Sequence, residues 1–279
     1  MKTLRDAVYG VAVGDALGSP IQFQERDSFP YVDTMLYCEI FDKEPGTWTD
    51  DTSMTLALCD SIKKQKSIDV NDIRKRFQNW LILGKYTQDG EAFDVGNTCY
   101  VAIKNGKGQN DFYSNGNGSL MRIIPLAFVK DITDQQITDV SAITHAHNIS
   151  CEACKIYIHI AKDLIDGKSI QKAVKDNSPK NYSIFTSLNS LESRNRDEIK
   201  STGYVVDTLE AALWCLLKTK TFKDAVEMAV NLGGDTDTVG AVTGGLAGIM
   251  YGMENIPEEW LKKIRKKRMI ENYLFTENY

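Results

Sequence analysis

Gly233-Gly234-Asp235-Thr236-Asp237-Thr238-Val239-Gly240-Ala241-Val242-Thr243-Gly244-Gly245-Leu246-Ala247-Gly248 reads as an acidic helix start followed by a helix over 237–252. Gly240, Gly244 and Gly248 fall at i, i+4 and i+8, so one face of this helix carries no side chains. Glycine in a helix interior costs about 1 kcal/mol relative to alanine. Three on one stripe therefore imply a neighbouring helix that approaches closely. That packing holds Asp235, Asp237 and Thr238 deep in the protein. Asp235 or Thr236 can cap the helix, and Gly233-Gly234 allows backbone shapes and ligand approaches that other residues resist.

Outward from this stretch, apolar residues recur at three- and four-residue spacing and strand-like alternation is nearly absent, which predicts an all-α protein. The helical stretches are 4–17, 50–64, 70–83, 95–105, 119–129, 134–144, 149–165, 204–217, 222–232 and 237–252. Between 177 and 202 the pattern weakens and polar residues dominate, as expected of a mobile surface excursion. At 279 residues, with no linker-like tract or internal repeat, the expectation is one domain over 1–279.

Composition excludes several classes. Hydrophobic residues make up 42% and charged residues 25%, which is ordinary for a soluble globular protein. Lys2, Arg5, Asp6 and Asp15 break any signal-peptide core. The longest apolar run, 239–251, is too short to span a bilayer, so no membrane association and a cytoplasmic location are expected. Net charge is −5, and the densest basic run, Lys262-Lys263-Ile264-Arg265-Lys266-Lys267-Arg268, reads as a solvated helix face, so no nucleic-acid partner is expected. Six scattered cysteines read mostly as small buried apolar side chains.

A second acidic cluster, Trp48-Thr49-Asp50-Asp51-Thr52, lies almost two hundred residues upstream. Four carboxylates in one pocket would repel strongly, so either the clusters stay apart or a hard divalent cation sits between them. Helix capping accounts for one residue of each cluster, not for all of them. Oxygen ligands favour Mg²⁺, Mn²⁺ or Ca²⁺ over zinc. Adjacent Asp50 and Asp51 point about 100° apart on a helix and can reach two different groups. Asn115-Gly116-Asn117-Gly118-Ser119-Leu120-Met121-Arg122 offers backbone N–H groups at a helix start, a natural phosphate cradle, although Asn-Gly pairs also form ordinary turns. His145, His147, Cys151 and Cys154 stand in an order that invites zinc, but the two cysteines fall within an amphipathic helical pattern. His145 reads equally as a pocket residue or a core histidine.

Gly14-Asp15-Ala16-Leu17-Gly18, Trp48-Thr49-Asp50-Asp51-Thr52, Gly116-Asn117-Gly118-Ser119-Leu120-Met121-Arg122, Thr144-His145 and Gly233-Gly234-Asp235-Thr236-Asp237-Thr238, in this order, resemble the ADP-ribosylglycohydrolases. That family includes dinitrogenase-reductase activating glycohydrolase, the ADP-ribosylarginine hydrolases and J1 crystallin. The resemblance spans 14–248 and implies a compact orthogonal multi-helix bundle with two divalent cations, Mg²⁺ or Mn²⁺. It implies Thr49, Asp50, Asp51, Asp235, Asp237 and Thr238 as metal ligands. It also places Gly116, Asn117, Gly118 and Ser119 at the diphosphate of ADP-ribose and His145 facing the ligand. The implied reaction cleaves the glycosidic bond at C1″ of ADP-ribose in a modified protein or a small conjugate. Asp50 and Asp51 are the candidate catalytic carboxylates, with base and ligand not separated by sequence, and a monomer is the expected working unit. Asp94, in Phe93-Asp94-Val95-Gly96-Asn97-Thr98, resembles the segment that faces arginine acceptors and can grip a guanidinium, or cap the following helix. The sequence departs at Gln22, where many members carry Glu; Gln cannot accept a proton as a base. Asp50, Asp51 or Glu25 must then serve, or the chain is a non-catalytic ADP-ribose binder or crystallin-like relative. A dimetal nucleotide phosphohydrolase is a further alternative.

Overall fold

The computed structural model describes residues 2–181 and 183–276. Side-chain caps set where many helices begin. Thr3 starts α1 (Leu4–Gly18) with a capping box through Asp6, Thr49 starts α2 (Asp50–Gln65) and Asp69 starts α3 (Val70–Leu83). After α4 (Asn97–Asn105), Thr133 forms a capping box for α5 (Asp134–Ser141), His147 caps α6 (Asn148–Ile165) and Ser169 caps α7 (Ile170–Asn177). Next come α8 (Val205–Lys218), α9 (Phe222–Val230), capped by Thr221, and α10 (Thr236–Tyr251). Two short helices, α11 (Glu258–Lys263) and α12 (Lys267–Tyr273), close the chain. The protein is all-α: among the described residues there is no sheet, only bridges between Cys38 and Lys43, Gln109 and His145, and Gly116 and Tyr204. No described helix is long and apolar enough to cross a membrane.

The close helix contact expected from the glycine stripe is present, and its partner is α1. A Cβ on Gly10 would lie 2.0 Å from the Gly244 carbonyl oxygen, and one on Gly14 would lie 2.0 Å from that of Gly240. Gly18 meets Thr236 and Gly248 meets Asp6 in the same way. The helices run antiparallel, so the C-terminal end of α1 meets the N-terminal end of α10, where Thr236 Oγ1 donates to the Gly18 carbonyl at 2.8 Å. Around this seam one hydrophobic core reaches from Leu4 to Phe275 and encloses Trp48, Trp80 and Trp260. Its apolar burial is the main drive for folding, while the seam fixes how the acidic ends meet.

Three expectations need correction. The segment 119–129 is not an α-helix but two 3₁₀ turns, Asn117–Ser119 and Ile124–Phe128. Pro125 lacks the N–H of a helix interior, and Leu120, Ile123, Ile124 and Leu126 are buried on every side rather than along one stripe. The 177–202 stretch is anchored: it carries a 3₁₀ helix, Ile184–Ser193, that buries Phe185, Leu188 and Leu191, and Arg26 holds the carbonyls of Arg196 and Ile199. The basic run is no single helix face, because Lys266 takes a left-handed conformation between α11 and α12. Within it, Lys263 donates to Thr34 and Met35, and Arg265 to Thr47.

Candidate active site

The end of the α1–α10 seam gathers both acidic clusters. Thr238 Oγ1, on α10, lies 3.5 Å from Asp51 Oδ2, at the start of α2. The same Asp51 oxygen accepts from Thr49 Oγ1 at 3.1 Å, and Thr49 Oγ1 caps α2 at the Asp51 N–H. Adjacent carboxylates diverge as a helix requires. Asp50 lines an open cleft of about 560 Å³, whereas Asp51 sits behind it, wholly buried.

Asp15 is the residue the sequence reading missed. Fully buried on α1, it accepts the Thr49 N–H at 2.9 Å, the Thr52 N–H at 3.0 Å and the Thr52 hydroxyl at 2.6 Å. It thereby ties the first turn of α2 to the glycine seam. A carboxylate at a helix N-terminus is favourable, yet burial pushes Asp15 up to about 7 against the Thr52 and Thr49 bonds that favour its charged form. An acidic residue in the otherwise apolar run 7–17 was the available signal, since Asp is rarely buried without partners.

The cleft is also lined by Gln22, Asp94, Gly116, Asn117, Gly118, His145, Asp235, Asp237 and Thr238. Asn117 Nδ2 donates to Asp235 Oδ2 at 2.6 Å and to Thr208 Oγ1 at 2.9 Å, and its N–H donates to the Gly203 carbonyl. Gly118 is required by close approach: a Cβ there would lie 2.7 Å from Cys99 Sγ and 2.9 Å from His145 Cε1. Ser119 turns away from the cleft, its hydroxyl buried against Ser141 and Cys154. Gln22 Nε2 donates to Asp94 Oδ2 at 2.9 Å, and its Oε1 is buried without a partner. Glu25 is exposed and does not reach the cleft. His147 caps α6 and meets Asn115, while Cys151 and Cys154 bond to the His145 carbonyl and to Ser119, so the zinc arrangement does not form. All six cysteines are free and buried.

Electrostatics mark this end of the seam. Burial first, then repulsion from neighbouring carboxylates, raises Asp50, Asp51 and Asp237 well above the usual carboxylate range, with Asp94 the leading neighbour for Asp50, Asp15 for Asp51 and Asp235 for Asp237. Burial also raises Asp94, against hydrogen bonds from Asp237 and Gln22. Asp51 Oδ1 and Asp237 Oδ1 are buried with no hydrogen-bond partner, an arrangement that costs stability unless another group answers it. Among the described residues no three His, Cys, Asp or Glu side chains already stand at ligand spacing. The donor set of carboxylates and threonine hydroxyls, with two orphaned oxygens, fits a hard divalent cation.

Beside the cleft, and sharing Gly116 and Gly203 with it, Phe112, Tyr113 and Tyr204 form an aromatic shelf. Phe112 and Tyr113 meet edge-on and are largely exposed. A larger cavity of about 820 Å³ between α8 and α9 carries no comparable cluster, its Arg196 being paired with Asp27. Size alone does not identify the reactive site.

The family model for ADP-ribosylglycohydrolase matches residues 2–277. An ADP-ribosylarginine hydrolase Tri1 of Serratia proteamaculans is 35% identical over 96% of this chain and 76% of its own length. An ADP-ribosyl-dinitrogen-reductase glycohydrolase of Rhodospirillum rubrum is 34% identical over 94% of this chain and 90% of its own. A solved ADP-ribosylglycohydrolase-related protein complex contains a chain that superposes with a TM-score of 0.82 at 29% identity, covering 96% of this chain and 94% of that one. The chain belongs to the ADP-ribosylglycohydrolase family.

Proposed function

We propose, with membership of that family as the premise, that this protein is a divalent-cation-dependent hydrolase that releases ADP-ribose from ADP-ribosylated arginine side chains. The observation that carries the reading is the meeting of Asp51 on α2 and Thr238 on α10 at the end of the seam, with a buried unpartnered oxygen on each of Asp51 and Asp237. Thr49, Asp50, Asp51, Asp235, Asp237 and Thr238 would hold Mg²⁺ or Mn²⁺. Bound there, such cations supply Lewis acidity that lowers the pKa of water and orients the ribose hydroxyls.

The chain's own groups divide the remaining work. Asp50 faces the cleft while Asp51 is sealed behind it, so Asp50 takes the proton of the water that attacks C1″. As the C1″–O bond forms, the C1″–N bond to the guanidino group breaks, and the departing guanidine recovers that proton. Positive charge developing on the sugar is favoured by the surrounding carboxylates. Asp94, oriented by Gln22, grips the guanidinium of the acceptor. The backbone of the Gly116–Gly118 loop meets the diphosphate, and the Phe112, Tyr113 and Tyr204 shelf stacks on the base.

The test is incubation of an ADP-ribosylarginine protein with this chain and Mg²⁺ or Mn²⁺, with ADP-ribosylserine and O-acetyl-ADP-ribose in parallel. Release of ADP-ribose from the arginine linkage is expected, and loss of that release on chelation. A second reading, a non-catalytic ADP-ribose binder, is favoured by Gln22, which places an amide where many relatives have a carboxylate. Binding of ADP-ribose without turnover of any of the three substrates would select it.

A further inference from the structure

His145 presents its ring edge to the glycine loop. A Cβ on Gly116 or Gly118 would lie 3.5 Å from its Nε2, and no described protein group bonds that nitrogen. Nδ1 faces the other way, 2.8 Å from Thr144 Oγ1. The same hydroxyl accepts from Arg122 Nη2 at 2.8 Å, while Arg122 Nη1 donates to the Gly118 carbonyl. The guanidinium is wholly buried and stacks over Phe77 at 4.7 Å.

Arginine can only donate. Cys99 Sγ is a further hydrogen-bonding neighbour of Thr144 and already accepts from Arg122 Nη1 at 4.0 Å. Arg122 occupies the Thr144 oxygen as a donor, and a thiol sulfur is a weak acceptor beside an imidazole nitrogen, so the single Thr144 proton goes to His145 Nδ1. We infer that Arg122 and Thr144 are positioning residues that fix His145 as the neutral Nε2–H tautomer, so that the cleft meets a ring N–H donor. The backbone of His145 is held for this task, its N–H donating to the Ser141 carbonyl and its own carbonyl accepting from the Ser141 hydroxyl at 3.1 Å.

The arrangement also discourages a second proton on the ring. Burial, then the positive charge of Arg122, pushes His145 down to about 3. Donor polarity matters because the opposite tautomer would turn an Nε2 lone pair toward the ligand. Against a diphosphate oxygen that places acceptor against acceptor. This use of the donor rests on the reading that the cleft takes ADP-ribose, whereas the tautomer assignment does not.

The tautomer is read directly from ¹H–¹⁵N long-range correlation spectra of the three histidines, with the His145 signals identified by their loss in His145→Gln. The free protein at neutral pH is expected to show His145 protonated at Nε2 alone. Protonation at Nδ1, an even mixture, or an imidazolium would overturn the proposal. Thr144→Val is expected to give a tautomer mixture and to weaken ADP-ribose binding in calorimetry by about tenfold, while Thr144→Ser retains both properties. A valine variant with an unchanged spectrum and affinity would also overturn it. If Thr144→Val does not fold, Arg122→Lys, which keeps the charge but loses the fork, is expected to show the same mixture, and an unchanged spectrum there counts against the inference. An Nε2–H spectrum in a protein that fails to bind ADP-ribose would support the positioning role and defeat the proposed ligand.

Discussion

Along the α1–α10 seam, backbone lies against backbone and each helix satisfies its own hydrogen bonds, whereas at the end of the same seam Asp51 and Asp237 each keep a buried oxygen without a partner. Both regions depend on the absence of something ordinary. The seam lacks side chains, which removes any freedom to shift. Among the described residues none forms an ion pair with the acidic end, and Arg122, which stands nearby, is directed to Thr144 and Gly118 instead. The difference teaches where the fold tolerates electrostatic strain: at the mouth of its most constrained packing, where repulsion cannot push the two clusters apart.

The contrast breaks most completely at the seam. Gly14→Val places a side chain where even a Cβ would lie 2.0 Å from the Gly240 carbonyl oxygen. It should cost about 4 kcal/mol or more, or prevent folding. Urea denaturation followed by circular dichroism measures this, and a loss under about 1 kcal/mol would mean that the helices can separate. At the acidic end the pattern reverses. Asp50→Asn should leave the fold intact and, by removing one repelling charge, keep or raise the thermal stability of the chelated protein. Its turnover of ADP-ribosylarginine should nevertheless fall by about 10³-fold, within the range for losing a general base.

A pH series sharpens the same comparison with a smaller effect. Asp50, Asp51 and Asp237 have raised folded-state values. Their protonated forms therefore contribute stability that is full below the unfolded carboxylate value, near 4, and is lost as pH rises toward the folded values. Melting temperature in the presence of chelator should fall between pH 5 and pH 8, and added Mg²⁺ or Mn²⁺ should oppose that fall most strongly at pH 8. A melting curve that rises with pH in chelator would show that these carboxylates are not in conflict. Gln22→Glu is the mildest change. It replaces the donor to Asp94 with another carboxylate and should cost about 1–2 kcal/mol in chelator, with the cost reduced when cation is added.

How much of this was legible in the sequence follows the same division. The stripe of Gly240, Gly244 and Gly248 announced a close contact because glycine at helical spacing has few other uses. Its partner, Gly10, Gly14 and Gly18, lies on a helix that also carries Leu4, Val8, Val11 and Ala12, all buried; these account for its burial without the glycines, so the pairing was not visible. Local spacing could show that Asp50 and Asp51 diverge, but only the tertiary arrangement distinguishes the cleft-facing carboxylate from the sealed one. Asp15 belongs to the same class, since its partners, the Thr49 and Thr52 N–H groups and the Thr52 hydroxyl, lie more than thirty residues along the chain. The segment 119–129 was misread because an apolar run buried on all sides imitates a helix, and Pro125 was the warning. The aromatic shelf was hidden by distance along the chain: Tyr204 reaches Gly116 through a single backbone bridge.

The central claim is that the two clusters form one cation-dependent hydrolytic site. Its most direct test is ADP-ribose release from an ADP-ribosylarginine protein by the wild type, Asp50→Ala and Asp237→Ala, each with Mg²⁺ or Mn²⁺ and with chelator. Release by the wild type with cation alone, and by neither variant, is the predicted result. Equal release in chelator, or undiminished release by Asp237→Ala, would contradict it.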